Sequence, residues 1–219
     1  MFTHKEHGMI LPKLTRETTD KGRRYFTSSG DSFPSVTTVL SILSKQSIQE
    51  WRDRVGHDVA NKISTQASRR GTSVHKLAED YLDNKEDWKG KQLPANLFTF
   101  NTIKPIIDEN INNIWFQEEF LYSTKLRTAG QVDCIAEWDG ELSVIDFKTS
   151  RRPKKEEYIT GYFMQASFYA AAFLEMTGIP IKQAVILIAV DDNEPQVFKV
   201  NTFDYLEHFL AVRKKFDDL

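Results

Sequence analysis

The chain has 219 residues, of which 40% are hydrophobic and 27% are charged, and its formal net charge is -2. This composition is typical of a globular protein of one domain, and its bulk charge does not indicate a nucleic-acid partner, so any basic surface must be local. The single cysteine, Cys134, excludes disulfide scaffolds, four-cysteine zinc sites and iron–sulfur clusters within the chain, and favours a reducing cytoplasm. No apolar run approaches the roughly 20 residues of a membrane span, and the start lacks a signal-peptide pattern, so we expect no membrane association.

The first half of the chain is predicted to be mainly helical after a turn-rich start. Residues 1–34 are expected to form short strands or loops. The segment "PSVTTVLSIL" then opens a helical pattern with Ser35 as its N-cap, and "SIQEWRDRVGHDVANKI" is predicted to be a second helix. Apolar residues at helical spacing predict a stronger helix over 67–83, and another amphipathic helix is expected over about 98–112.

From residue 113 the hydrophobic period changes to that of strands. Three consecutive strands are predicted in "NIWFQEEFLYS", "AGQVDCIAEW" and "ELSVIDFKTS", followed by a helix over about 157–176. The continuous apolar run "KQAVILIAV" predicts a strand buried on both faces, "PQVFKVN" its neighbour, and "DYLEHFLAVRKKF" a final helix. This order predicts an α/β or α+β fold with a mixed sheet flanked by helices.

The second and third of these strands are separated only by Asp-Gly at 139–140. This dipeptide predicts a two-residue type I′ turn, which fixes the register of the hairpin. Counting outward from the turn places Asp133 directly opposite Asp146, and Gln131 opposite Lys148. Opposed residues share one face of the sheet with their Cβ atoms about 4.5–5.5 Å apart.

Two facing carboxylates repel each other, and the repulsion can be relieved by a shared proton or by a divalent cation. Oxygen ligands suit Mg²⁺ or Mn²⁺, so Asp133 and Asp146 are predicted to be metal ligands. Lys148 would hold a water or offset charge on a phosphate beside that metal. The Phe147 side chain should point into the core while its backbone carbonyl reaches the cation. The simpler alternative is a half-solvated strand end with a surface Asp–Lys pair.

Two helices carry further polar candidates. His75 lies beside the apolar stripe of the helix over 67–83, with Glu79 one turn later, and is either a structural histidine or another metal ligand. On the later helix, one face carries polar tips that form either an interfacial tyrosine stripe or a wall of hydrogen-bond donors over the site: Tyr158, Tyr162, Gln165 and Tyr169.

The chain resembles the RecB-like branch of the PD-(D/E)XK nucleases over roughly residues 70–175. The resemblance is carried by the order and spacing of four segments, "GTSVH", "GQVD", "IDFKTS" and "QASFY". "FPSVTTVL" and "AVILIAV" bring the chain closer to the mitochondrial genome maintenance exonuclease family and its phage and bacterial relatives. The resemblance implies a restriction-endonuclease-like core, with metal ligands His75, Asp133 and Asp146, catalytic Lys148, and an accessory pair, Gln165 and Tyr169. No Walker A sequence is present, so no nucleotide cofactor is expected.

DNA contacts are expected around this site. The resemblance suggests that 35–60 and the 84–112 region form an arch that would admit a free DNA end. Trp51 is a candidate for base stacking, and phosphate contacts are expected from two groups, namely the hydroxyl residues Ser35, Thr37 and Thr38 and the basic residues Arg69, Arg70, Arg127, Arg151, Arg152 and Lys154. The alternative is that these side chains are ordinary solvated charges and ordinary core or surface aromatics.

These inferences predict a divalent-metal-dependent DNA exonuclease that prefers single strands or strand ends and acts in replication, repair or recombination. A replication or recombination protein is an expected partner, in the cytoplasm of a bacterial or phage-infected cell. The alternatives are a structure-specific endonuclease on the same fold and a non-catalytic DNA-binding recombination partner. We expect one compact domain, with an N-terminal segment and DNA-guiding region at 1–66 and a nuclease core at 67–219 that contains a helical insertion at 84–112.

Overall fold

The structure, a computed structural model, describes residues 1–219 and has eight strands and six helices. The strands are β1 (Thr15–Thr19), β2 (Gly22–Phe26), β3 (Ser32–Pro34), β4 (Ile111–Ser123), β5 (Thr128–Trp138), β6 (Glu141–Ser150), β7 (Gln183–Val190) and β8 (Gln196–Asn201). The helices are α1 (Val36–Leu40), α2 (Lys45–Val55), α3 (His57–Leu82), α4 (Pro94–Asn110), α5 (Thr160–Thr177) and α6 (Thr202–Asp217). None of these helices combines the length and the apolar character that crossing a bilayer requires.

The central element is a five-stranded mixed sheet with the order β4-β5-β6-β7-β8. Strands β6 and β7 are parallel and are joined through α5, whereas every other neighbouring pair is antiparallel. The three consecutive strands, the buried strand β7 and its neighbour β8 are therefore confirmed, and so is the predicted fold class of a mixed sheet flanked by helices.

Hydrophobic cores cover both faces of this sheet. Helices α1, α5 and α6 pack on one face, and α3 and α4 pack on the other. Strand β6 alternates between them, with Val144 in the first core and Ile145 and Phe147 in the second. The Phe147 side chain thus points into the core, as predicted, and Asp146 and Lys148 belong to the opposite set of the alternation.

Helix boundaries differ from the prediction at three places. The predicted second helix is interrupted at Gly56, whose φ of 89° lies in the left-handed region that favours glycine, so α2 ends there and α3 continues without a break to Leu82. Helix α4 begins at Pro94 and ends at Asn110, because the strand pattern takes over one residue later. Residues 156–158 form a 3-10 turn, so α5 begins only at Thr160.

The β5–β6 hairpin has the predicted turn and register. Asp139 and Gly140 both have positive φ, at 53° and 79°, as a type I′ turn requires. Pairing starts at Trp138 and Glu141 and runs in the predicted register as far as Cys134 and Ile145. The ladder ends there, one residue before Asp133 would meet Asp146.

Beyond that point the sheet divides into two halves. Strand β5 stays paired with β4 as far as Thr128, whereas β6 stays paired with β7 as far as Ser150. The divergence opens a cleft between β5 and β6. The residues at its base are those that the hairpin count paired across the two strands, namely Asp133 with Asp146 and Gln131 with Lys148.

A second, three-stranded sheet, β1-β2-β3, covers the β5 side of this cleft. Tyr25 and Phe33 pack in a small core with Ala129 of β5, and Ser35 forms an isolated bridge to the same residue. The short strands expected within residues 1–34 are therefore confirmed, and the sheet they form is one wall of the cleft.

Candidate active site

The cleft has a volume of about 660 Å³ and is bounded by four parts of the fold. Residues from β1, β2 and the start of α1 form one wall, α3 a second, α5 a third, and the diverging ends of β5 and β6 the base. The charged residues that line it are Arg16, Arg23, His75, Lys76, Glu79, Glu118, Asp133 and Lys148.

Asp133 occupies the gap at which the two strands separate. Its carboxylate accepts a hydrogen bond of 2.9 Å from the backbone N–H of Phe147, which has lost its ladder partner, and lies 3.3 Å from His75 Nδ1. Burial acts to raise the pKa of Asp133, but the charge and hydrogen bond of His75 and the charge of Lys148 outweigh it and hold this pKa below its usual value. Asp133 is therefore a largely enclosed carboxylate whose ionised form is favoured.

The Phe147 carbonyl also faces the gap between the two strands. In an extended strand the C=O of a residue points to the same side as its N–H, and the Phe147 N–H points to Asp133.

Asp146 is almost completely buried at the base of the cleft, with its side chain 1% exposed. The Lys148 ammonium group forms an ion pair with Asp146 Oδ2, and no other donor reaches either carboxylate oxygen. Burial raises the pKa of Asp146, and the Asp133 charge raises it further. For Lys148, burial lowers the pKa, but the charges of Asp146 and Asp133 outweigh that effect and raise it, so the ammonium form is favoured.

His75 reaches the cleft from α3, whose neighbouring residues Val74 and Leu77 are buried in the core. Burial lowers the pKa of the imidazole, but the charge and hydrogen bond of Asp133 more than compensate and raise it. Glu79, one turn later, also lines the cleft and is in an ion pair with Lys76. The histidine thus faces the buried carboxylates and is not enclosed by the core.

Glu118 is a site residue that the sequence prediction missed. The β4–β5 register places it opposite Asp133, and its φ of 51° is unusual within a strand. Ligand atoms of His75, Glu118 and Asp133 all lie within 4.8 Å of one another. Burial raises the pKa of Glu118 to about 7, and the Asp133 charge adds to this. Counting outward from the β4–β5 turn would have found Glu118, but "TKLR" is not a two-residue turn of recognisable type, so no register could be counted from it.

The donors in the cleft fit a hard divalent cation. Two carboxylates and one imidazole, from Asp133, Glu118 and His75, converge there. The buried Asp146 carboxylate lies below them in an ion pair with Lys148, and its second oxygen has no donor, which leaves that oxygen open to a cation or a proton. Oxygen-rich sets of this kind suit Mg²⁺ and Mn²⁺. The residues that could hold the ion are Asp133, Asp146, His75 and Glu118, with the Phe147 carbonyl beside them.

A second carboxylate cluster lies on α3 and just after it, at Glu79, Asp80 and Asp83. Each of its carboxylates already has a lysine partner, because Lys76 is in ion pairs with Glu79 and Asp80, and Lys85 with Asp80 and Asp83. Ordinary surface pairing therefore accounts for this cluster without a metal.

The polar face of α5 is only partly at the cleft. Tyr162, Gln165 and Tyr169 line it, whereas Tyr158 precedes the helix and is 74% exposed. The Tyr169 hydroxyl donates to the backbone carbonyl of Gln131 at 2.7 Å and accepts from Gln165 Nε2 at 3.3 Å. Tyr169 therefore holds the end of β5 in place, and the ring of Tyr162 lies 5.2 Å from the Lys148 ammonium.

The predicted DNA contacts are divided between the cleft and its surroundings. Ser35 and Thr37 line the cleft, although the Ser35 hydroxyl is also the N-cap of α1, accepting from the Thr38 N–H. Thr38 lines a smaller groove next to the cleft. Arg69 and Arg70 line another groove between α3 and the segment before α4, and Arg70 is in an ion pair with Asp191.

The remaining predicted contacts lie outside the cleft. Arg127 is at the β4–β5 turn, in an ion pair with Asp217 of α6. Arg151, Arg152 and Lys154 are exposed directly after β6, and Trp51 is half-buried on α2. Conversely, Arg16, Arg23 and Tyr25 line the cleft from β1 and β2, where no motif indicated them.

Comparison with known proteins identifies the family. The sequence profile of the PD-(D/E)XK nuclease superfamily matches residues 98–218, more than half of the chain. The chain belongs to the PD-(D/E)XK nuclease superfamily. This membership agrees with the mixed sheet and with the Asp–Asp–Lys set at its divided end. The matched region contains β4 to β8, α5 and α6, whereas His75 and the three-stranded sheet lie outside it.

Three curated relatives, each named mitochondrial genome maintenance exonuclease 1, align with much of this superfamily member. The protein of Mus musculus is 30% identical over 132 residues, covering 57% of this chain and 39% of the relative. The protein of Homo sapiens is 28% identical over 177 residues, covering 74% of this chain and 50% of the relative. That of Xenopus tropicalis is 24% identical over 191 residues, covering 81% of this chain and 54% of the relative. The chain therefore spans about half the length of these relatives or less. A crystal structure of a protein described as an exonuclease, from Eubacterium rectale, superimposes on 68% of this chain and on 64% of its own chain, with a TM-score of 0.44 and 17% sequence identity. The fold assignment is therefore based on the family match and not on this superposition.

Proposed function

We propose that the chain is a divalent-metal-dependent DNA exonuclease that hydrolyses phosphodiester bonds and prefers single-stranded DNA or strand ends. One observation carries this proposal, namely the convergence of His75, Glu118 and Asp133 within 4.8 Å beside the buried Asp146–Lys148 pair. The mitochondrial relatives are named as exonucleases, which supports the same activity here. Replication, repair or recombination of DNA, with a partner protein from one of these processes, is the proposed setting.

The acidic residues have the role of holding the cation. Asp133, Asp146 and His75 would bind Mg²⁺ or Mn²⁺, and Glu118 is placed to add a further oxygen. When bound, such an ion supplies Lewis-acid stabilisation of a phosphoryl oxygen and lowers the pKa of its own water. The His75 imidazole and the Phe147 N–H orient the Asp133 carboxylate, so that it is already positioned before substrate arrives.

Lys148 has the role of stabilising negative charge on the phosphate. Its ammonium form is favoured by Asp146 and Asp133, and its side chain is 19% exposed at the cleft, so it can donate to a phosphate oxygen. Tyr169 is a positioning residue, because its hydroxyl donates a hydrogen bond to the Gln131 carbonyl and so fixes the part of β5 that carries Asp133 two residues later. Gln165 reaches the cleft beside it and is available to contact substrate.

The first test separates chemistry from binding. Lys148→Ala and Asp146→Asn should each reduce digestion of end-labelled single-stranded DNA with Mg²⁺ or Mn²⁺ by at least about 100-fold, while binding of the same DNA remains. The matched controls are Lys199→Ala and Asp139→Asn, since that ion pair lies at the turn end of the same hairpin and outside the cleft. Digestion at the wild-type rate by Lys148→Ala or Asp146→Asn would refute the assignment.

The second test separates an exonuclease from the two alternatives. Circular single-stranded DNA has no end, so the proposed exonuclease leaves it intact while it digests the linear form of the same sequence. Cleavage of the circle would establish an endonuclease. DNA binding without cleavage of either form, at any concentration of Mg²⁺ or Mn²⁺, would establish a non-catalytic DNA-binding protein.

A further inference from the structure

Two grooves adjoin the cleft, one on each side of it. The first, the α3–α4 groove, has a volume of about 590 Å³ and runs between the middle of α3 and the segment before α4. The second, the β2–α1 groove, has a volume of about 470 Å³ and lies between β2 with its preceding turn and α1. Neither groove belongs to the proposed metal site.

Shared lining residues place both grooves directly beside the cleft. Thr72 lines both the α3–α4 groove and the cleft. Arg23 and Thr37 line both the β2–α1 groove and the cleft. The α3–α4 groove, the cleft and the β2–α1 groove are therefore neighbours in that order, with the proposed metal-binding residues in the middle one.

The charge in the grooves is opposite to that at the cleft base. No aspartate or glutamate lines either groove, although the protein as a whole carries a net charge of -2. The α3–α4 groove carries Arg69 and Lys91, and the β2–α1 groove carries Lys21 and Arg23. None of these four side chains is in an ion pair.

The other lining groups suit a phosphate backbone. Hydroxyl and amide side chains make up most of the rest of both grooves, with Ser68 and Gln92 in one and Thr18 and Ser41 in the other. Only one hydrophobic residue, Leu93, lines the α3–α4 groove, and none lines the β2–α1 groove. Sites that stack bases need aromatic surfaces, whereas polar, positively charged walls bind the sugar–phosphate backbone without reading sequence.

We infer that the two grooves bind the backbone of a single nucleic-acid strand on both sides of the bond that is cut, so that the strand crosses the cleft from one groove to the other. This inference rests on the proposed function and adds to it a strand path and three phosphate-binding residues, Lys21, Arg23 and Lys91, which join the already expected Arg69. The path is consistent with an exonuclease that retains the strand it is digesting, because contacts lie on both the retained and the released side of the reaction.

The test is the salt dependence of binding, because each phosphate neutralised by Lys or Arg adds about 0.7 to the slope of log K against log salt for a single strand. The parent protein is Lys148→Ala, which binds labelled single-stranded DNA without cutting it. Lys21→Ala/Arg23→Ala in this parent should lower the magnitude of the slope by about 1.4, and Arg69→Ala/Lys91→Ala by about the same amount. The quadruple variant should lower it by about 2.8.

The matched control is Lys214→Ala/Lys215→Ala, which removes the same charge from the exposed end of α6, and it should leave the slope unchanged. Circular dichroism verifies that every variant is folded. A loss of slope in only one of the two groove variants, or equal loss in the control, would overturn the through-running path while leaving the proposed function in place. Failure of the Lys148→Ala parent to bind any single-stranded DNA would overturn the proposed function itself.

Discussion

Gly130 shows how one small residue keeps the cleft in shape. A Cβ atom added there would lie 2.7 Å from Tyr169 Cε1 and 3.0 Å from both the Tyr169 hydroxyl and Val36 Cγ1. Such distances are shorter than ordinary contacts between non-bonded atoms, so the tyrosine would have to move away from the Gln131 carbonyl that it holds. Gly130 is therefore required by the close approach of α5 to β5. Within "GQVD", the glycine has a packing role, whereas the candidate for the chemistry is Asp133.

We predict that Gly130→Ala destabilises the protein by about 1–3 kcal/mol, the usual cost of forcing extra volume into a packed site. Denaturant unfolding followed by circular dichroism measures this change. Gly161→Ala on the first turn of α5 is the matched control, because a Cβ there meets nothing within 4 Å. It should leave the unfolding free energy unchanged or raise it slightly, since alanine favours a helix more than glycine does. Equal unfolding free energies for the two variants would contradict the packing role of Gly130.

The aspartates and the lysine of the hairpin were predictable as a group, because an Asp-Gly turn and strict alternation fix both register and face. Glu118 was not predictable in the same way, since its position depends on a left-handed residue within β4 and on a turn without a recognisable type. Arg16 and Arg23 were not predictable either, because they approach the cleft only through the packing of a separate small sheet. Local patterns thus predicted which residues lie at the base of the cleft, whereas the walls of the cleft depend on tertiary packing.

At the scale of elements, the β4–β5 turn is tied to the end of α5 by one carboxylate. Glu175 accepts hydrogen bonds from the Ser123 hydroxyl and from both the N–H and the hydroxyl of Thr124. Partial burial acts to raise the pKa of Glu175, but these hydrogen bonds outweigh it and hold the pKa below its usual value. The ionised form therefore stabilises this turn.

The depressed pKa of Glu175 predicts a dependence of stability on pH. Its contribution is fully present above the unfolded-state pKa of about 4.3 and is lost as pH falls through the lower folded-state pKa. The Tm of the wild type should therefore exceed that of Glu175→Gln near neutral pH, and the difference should shrink below about pH 4. Thermal scans across this range measure the difference. Glu207→Gln on the exposed face of α6 is the control, and a difference that does not change with pH for Glu175→Gln would argue against the assigned hydrogen bonds.

Element boundaries were less predictable than element types. The three strands and the buried strand β7 follow directly from their hydrophobic periods. The break between α2 and α3 depends on Gly56. A glycine inside a helical pattern can either continue the helix or end it, and here its left-handed conformation ends α2. The ladder between β5 and β6 ends at Ile145 because the Asp133 side chain takes the Phe147 N–H, a competition that a hairpin count cannot include.

At the scale of the whole molecule, one sheet separates two cores that depend on each other. Leu77 is buried in the α3–α4 core and Ile186 in the α1–α5–α6 core, and strand β7 contributes side chains to both. If the sheet unfolds on one side, the apolar side chains that it contributes to the core on the other side are exposed as well. The two halves of the molecule should therefore unfold together.

We predict a single denaturant transition in which tryptophan fluorescence and circular dichroism coincide. Leu77→Ala and Ile186→Ala should each lower the unfolding free energy of that one transition by about 2–5 kcal/mol. Two separate transitions, each sensitive to only one of these substitutions, would show instead that the chain folds as independent units.

The most direct test of the central claim is the position of Mn²⁺ in anomalous difference density from crystals grown with that ion. We predict a peak in the cleft, with Asp133, Asp146 and His75 as ligands and metal–oxygen distances of about 2.0–2.2 Å, and its loss in Asp146→Asn. A peak at the Glu79–Asp80–Asp83 cluster in its place, or no peak in the cleft at saturating Mn²⁺, would contradict the account.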